Sequence, residues 1–246
     1  MASSAAVLLL ALLSGLTTLI GAGLAIWLGE RPGGVAFGIG FAAGLMLLIS
    51  AVELIPTALR VIGAAPTAVA VTLGLALIAT LHLALPHTHL IPERGSLQAH
   101  RLRSAYLTLL GLILHDFPEG VALANAYLVA PTRGVLVALA IALHNIPEQF
   151  TMAVAAVSLK TPGVLLGAAL VAALAEPAGA AVGLLAGHAR PGAIPVLMAV
   201  AAGAMGFVSI HELVPMARRY RRLPLFAAGA LVSAVVYAVL SAGLSE

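Results

Sequence analysis

Apolar residues run through this chain in long blocks, interrupted at intervals by glycine, proline and charged side chains. The punctuation divides it into eight segments, near residues 5–29, 33–60, 66–85, 104–128, 134–158, 163–187, 192–217 and 223–244. As helices, each would cross roughly 30 Å of hydrocarbon. A backbone in lipid must satisfy its own hydrogen bonds, so segments of this length predict α-helices. The expected fold is an all-α membrane protein with eight transmembrane helices, forming one domain over residues 1–246. The longest polar stretch, residues 86–103, predicts a loop between spans 3 and 4.

Composition sharpens this picture. The chain is 62% hydrophobic and 9% charged, with mean hydropathy +1.12, far outside the range of soluble globular domains. No Lys or Arg precedes Arg31, so the first apolar run lacks the basic start of a signal peptide and reads as a retained span. Cysteine is absent, which excludes disulfides and thiolate ligands. The twelve basic residues read as topology determinants rather than a nucleic-acid surface. Nine of them follow spans 1, 3, 5 and 7, and only Arg60, Arg133 and Arg190 follow spans 2, 4 and 6. That bias predicts a multi-pass protein of the cell inner (plasma) membrane, with both termini outside and loop 86–103 cytoplasmic.

The acids fall where lipid should exclude them. Of nine Asp and Glu residues, six lie within predicted spans: Glu53, Asp116, Glu119, Glu148, Glu176 and Glu212. An ionised acid at a helix centre costs about 2.5–3.5 kcal/mol, so six unpaired would cost roughly 15–20 kcal/mol. A single such acid can be carried protonated and hydrogen-bonded to a neighbouring helix. Six of them, with His115, His144 and His211 in the same spans, call for a wet cavity or bound cations.

Two near-copies of one phrase concentrate this chemistry: His115-Asp116-Phe117-Pro118-Glu119-Gly120 in span 4 and His144-Asn145-Ile146-Pro147-Glu148-Gln149 in span 5. Each sets a His and a Glu at i and i+4 on one helix face. Imidazole and carboxylate converging from two helices is a way to hold a divalent cation. Pro118 and Pro147 lack an N–H, free the carbonyls of Leu114 and Leu143, and predict kinks beside each His. A second phrase, Ser-x-x-Glu-Leu-x-Pro, occurs at Ser50–Pro56 and again at Ser209–Pro215. Spans 2 and 7 cross the membrane in opposite senses, as do spans 4 and 5. The pairs therefore predict inverted repeats, spans 1–3 and 6–8 around a central pair 4–5, with a site near the midplane. The repeated acids Glu53 and Glu212, with His211, would then stand on a pathway either side of it. In span 6, Glu176-Pro177-Ala178-Gly179 opens a glycine-every-fourth face that suits close packing, with Glu176 as a third acid within reach. His87, His89 and His100 read as a solvated loop rather than a metal site.

These motifs resemble the ZIP (Zrt/Irt-like protein) family of divalent metal transporters, and the resemblance covers the whole chain. It rests on HDFPEG in span 4, HNIPEQ in span 5, EPAGA in span 6 and HELVP in span 7. The resemblance implies a transporter, not an enzyme, moving Zn²⁺ into the cytoplasm through a binuclear site. His115, Glu119, His144 and Glu148 would hold one ion. Asp116, Asn145 and Glu176 would hold a neighbour, bridged by Glu119 and Glu148. The sequence departs from the family pattern at Asp116, where many members have Asn, at Gln149 in place of Gly, and at Met216 where an acid is common. Nitrogen and oxygen ligands also suit Cd²⁺, Fe²⁺, Mn²⁺ and Co²⁺. Metal ions and the lipid bilayer are the expected partners, nucleic acid is not one, and a homodimer stays open. The competing reading, an intramembrane zinc-dependent hydrolase, wants an open metal position and typically an HExxH helix. Neither phrase has a second His at i+4 of the first, and catalysis leaves the repeats unexplained.

Overall fold

The first helix, α1 (Ala2–Leu28), ends at Gly29, whose φ of +62° lets the chain leave the helix without a Cβ penalty. A computed structural model describes residues 2–84, 113, 115–157 and 162–244. After Gly29 come α2 (Pro32–Leu48), a six-residue π-helical turn (Ile49–Leu54), and α3 (Ile55–Ile62). Next are α4 (Ala64–Ala84), α5 (115–129) and α6 (Pro131–Val157). Span 6 is divided into α7 (Pro162–Ala173) and α8 (Ala175–Ala189). A 3₁₀ turn (Pro191–Ala193) leads into α9 (Ile194–Phe207), a second π-helical turn (Val208–Leu213), α10 (Val214–Arg219) and α11 (Leu223–Gly243). Among the described residues every regular element is helical and seven stretches are long and apolar enough to cross a membrane. This is an all-α, multi-pass membrane protein. Only the second half of predicted span 4 is described, and loop 86–103 with His87, His89 and His100 lies outside the described residues.

The phrase Ser-x-x-Glu-Leu-x-Pro turns out to encode a local structure. Both copies form π-helical turns of equal length, Ile49–Leu54 and Val208–Leu213. The N–H of Ile55 donates to Ser50 O, and that of Val214 to Ser209 O, five residues back instead of four. Pro56 and Pro215 follow at once with no N–H to give, so the ladder changes register where it is already interrupted. The wider turn sets Glu53 and Glu212 on a bulge in a helix that otherwise continues across the membrane.

The prolines of spans 5 and 6 leave their helices in different states. Helix α6 runs through Pro147 without a break, and the Thr151 hydroxyl donates to Pro147 O at 2.8 Å. Span 6, expected as one helix, breaks at Leu174, because Pro177 cannot donate to Ala173 O. That freed carbonyl faces α1 at Gly15. The break starts α8 afresh and places Glu176 in its first turn.

Backbone approach at paired glycines sets the helix crossings. Gly40 of α2 lies against Phe226 O of α11, and Gly229 against Phe37 O. Gly74 of α4 and Gly203 of α9 face Val200 O and Val71 O, while Gly120 of α5 and Gly179 of α8 face Glu176 O and Phe117 O. At each crossing a glycine meets the carbonyl three residues before its partner's glycine. A Cβ at any of the six would overlap that oxygen, which is why small residues are needed here. Of the seven long apolar stretches, α2–α3 and α6 are the most enclosed, and α4 and α11 are far more exposed. The outer helices thus turn apolar side chains outward, while the enclosed ones carry the polar cluster.

Candidate metal centre

The two His-x-x-Pro-Glu phrases meet inside the bundle. His115, Asp116 and Glu119 come from the described part of α5, and His144, Asn145 and Glu148 from the middle of α6, all buried. His144 and Glu148 share a helix face, with Nε2 and Oε2 3.9 Å apart, and Glu119 Oε1 approaches the same Nε2 at 3.1 Å. Ligand atoms of Glu119, His144 and Glu148 all lie within 4.8 Å of one another. His115 Nε2 joins this group 3.9 Å from Glu148 Oε1.

Hydrogen bonding orients the imidazole for ligation. His144 Nδ1 lies 2.9 Å from Ala140 O. A carbonyl only accepts, so Nδ1 carries the proton and Nε2 points its lone pair at the carboxylates. A lone pair and a carboxylate oxygen 3.1 Å apart require a proton or a cation between them. Further buried oxygens lack a hydrogen-bond partner: Glu119 Oε2, Glu148 Oε1 and Asp116 Oδ2. Buried polar atoms are otherwise almost always paired, so three orphaned carboxylate oxygens in one place mark a site that expects a cation.

A second cluster adjoins the first. Glu176 is fully buried; the Ser14 hydroxyl and the Asn145 amide each donate to one of its oxygens, and the Asn145 amide also donates to Ser14 O at 3.3 Å. Asp116 is buried and within electrostatic range of Glu119, Glu176 and Glu148.

The pathway residues separate. Glu212 Oε2 lies 3.4 Å from His115 Nε2, and its Oε1 lies 3.1 Å from His82 Nδ1, so this acid links the buried cluster to α4. His211 stacks on Phe207 (ring centroids 4.6 Å apart) and meets His82 edge-on at 5.5 Å. Glu53 is held by Tyr237, whose hydroxyl donates to it at 2.8 Å.

Sequence reasoning missed Ser14, His82 and Tyr237. Ser14 had a signal, since Ser14, Thr17 and Thr18 are polar interruptions of a purely apolar span. His82 lies near the end of α4, just before the polar loop.

Comparison with known proteins settles the family. The model of the family described as ZIP Zinc transporter matches residues 86–242, well over half of the chain. This chain belongs to the ZIP family. It is 42% identical over 127 residues to the zinc transporter ZupT of Enterobacter sp. (strain 638), covering 47% of this chain and 48% of that protein. Similar matches are the ZupT proteins of Salmonella arizonae and Escherichia fergusonii, each 42% identical, over 130 and 126 residues. The matched stretch spans about half the length of these curated relatives. Both repeated His-x-x-Pro-Glu phrases and the second π-helical turn of this ZIP chain fall inside the region matched by the family model.

Proposed function

We propose that this chain transports Zn²⁺, or a similar divalent first-row cation, into the cytoplasm through the buried cluster. The convergence of Glu119, His144 and Glu148 ligand atoms within 4.8 Å, fully shielded from solvent, carries the reading. The protein's own residues supply what a dehydrating ion needs, with an oriented imidazole and carboxylate oxygens in place of water. One ion is held by His115, Glu119, His144 and Glu148. Its neighbour is held by Asp116, Asn145 and Glu176, with Glu119 and Glu148 bridging. In this second position Glu176 would keep its hydrogen bonds from Ser14 and Asn145, the support that ligating carboxylates commonly have. Radioactive zinc uptake by cells expressing the chain, with Cd²⁺, Fe²⁺, Mn²⁺ and Co²⁺ as competitors, tests the reading directly.

Eight spans in inverted repeats accommodate this pathway. The reading is supported by the twin π-helical turns in spans 2 and 7 and by the matching glycine crossings of spans 2 with 8 and 3 with 7. With both termini outside the inner membrane, Glu53 lies on the outer side and Glu212 on the cytoplasmic side. Pairing of two copies is compatible with the apolar outer helices. A hydrolase draws no support: the family description and the relatives' names are those of transporters.

Two expected outcomes follow. Asp116→Asn trades a hard carboxylate for an amide in the second position, so Zn²⁺ uptake persists while Mn²⁺ and Fe²⁺ uptake fall relatively more. An unchanged competition series would show that Asp116 does not set preference. Glu53→Ala slows metal access from outside, and Glu212→Ala slows release inward, whereas zinc binding to purified protein in detergent survives both. Loss of binding in either variant would make that acid a central ligand or a folding element.

A further inference from the structure

Five arginines and the only tryptophan gather at one end of the bundle. Arg31 precedes α2; Arg218 and Arg219 end α10; Arg221 and Arg222 lead into α11; all five are exposed. These segments sit together. Gly33 at the start of α2 lies against the Leu225 side chain at the start of α11, and the Tyr220 hydroxyl hydrogen-bonds Glu30. Arg221 has φ +51°, and among the described residues it is the only non-glycine with positive φ. Arg221 lies in the short turn between α10 and α11, which Arg218, Arg219 and Arg222 flank. Glu30 is the only acid in these two turns, and it is already engaged by Tyr220. Among the described residues, Arg31, Arg218, Arg221 and Arg222 make no ion pair. Trp27, in the last turn of α1, is 79% exposed.

We propose that this face is a docking site for the headgroups of anionic phospholipids in the surrounding bilayer. Guanidinium groups bind phosphate oxygens in pairs, and arginines just beyond a membrane helix draw anionic lipid to the surface. The apolar surface directly below favours a lipid over a soluble anion, since Leu223 and Leu225 are 58% and 37% exposed beside Arg222. Acyl chains lie along those leucines while the phosphate meets the arginines. Exposed Trp27 on the same end fixes the level of the headgroup region. Nothing here rests on metal transport.

Trp27 is a built-in reporter, being the only tryptophan. The purified full chain is placed in nanodiscs of phosphatidylcholine containing a minor fraction of acyl-brominated lipid, either phosphatidylglycerol or phosphatidylcholine, and Trp27 quenching is measured. Stronger quenching by the anionic bromolipid is expected, with the preference falling as salt is raised. Each arginine near the surface is worth a factor of about five. The Arg218→Gln/Arg221→Gln/Arg222→Gln variant should therefore lose at least about ten-fold in preference, with helical content unchanged by circular dichroism. Inorganic phosphate, at ionic strength matched with chloride, should leave the preference intact. Three results overturn the proposal: equal quenching by both bromolipids in the unaltered chain, a preference retained by the triple variant, or displacement by inorganic phosphate. Should the triple variant fail to fold, the Arg31→Gln single variant and the salt series on the unaltered chain read the same preference.

Discussion

Alanine in place of Glu119 or Glu148 is expected to abolish zinc uptake while leaving the amount of folded protein unchanged. Glu119 reaches His144 Nε2 at 3.1 Å from another helix, and Glu148 stands between His144 and His115 at 3.9 Å from each. Removing the outer partners of a metal ligand costs about 10–100-fold, so loss of a carboxylate shared by two ions should exceed that and bring uptake to the level of cells lacking the protein. Stability moves the other way. Each acid has a buried oxygen with no hydrogen-bond partner, so in the absence of metal Glu148→Ala relieves an unfavourable burial, whereas Glu119→Ala also strips His144 Nε2 of its 3.1 Å partner. The metal-free Glu148→Ala variant should melt at or above the parent's temperature, and both variants should lose the stabilisation that added zinc gives the parent. Near-normal uptake by either variant would remove this cluster from the transport route.

The second large effect is structural. A methyl group at Gly120 would run into the carbonyl oxygen of Glu176, backbone against side chain with no rotamer to relieve it. Overpacking costs typically about 1–3 kcal/mol, and here it also displaces the turn that carries Glu176. Gly120→Ala is therefore expected to lower the melting temperature clearly and to impair uptake. Gly167 in α7 is the internal control, since nothing lies within 4 Å of where its Cβ would be. Gly167→Ala should gain up to about 1 kcal/mol from helix propensity. Equal melting temperatures for the two variants would mean that the α5–α8 crossing is not held by close backbone approach.

Several parts of this molecule could be read from residue order because they depend on local spacing or bulk composition. Apolar block length announces a membrane helix, and His and Glu four apart must share a helix face whatever surrounds them, so His144 and Glu148 were legible before any fold. Repetition flagged Glu53 and Glu212, but not that their phrase forms a π-helical turn. That register change depends on which carbonyl the N–H before Pro56 or Pro215 finds, and an α-helix and a π-turn share the same apolar pattern. Ser14 and Tyr237 escaped because their roles depend on partners 162 and 184 residues away in sequence. A hydroxyl in an apolar helix gives no hint of which acid it will meet. The break at Leu174 was not read from the sequence, which singled out Pro118 and Pro147 and not Pro177. Pro147 sits inside a continuous helix, whereas a helix breaks before Pro177, where the carbonyl of Ala173 lies against Gly15 of α1.

The central claim is that the chain itself passes zinc through this cluster. Flux into proteoliposomes tests it most directly, using purified protein, an entrapped zinc-sensitive dye and zinc added outside. Saturable dye response above protein-free liposomes, lost in Glu148→Ala reconstituted at equal density, is the expected result. Folded, correctly inserted protein that admits zinc no faster than bare lipid, or a Glu148→Ala variant that admits it at the parent's rate, would contradict the claim.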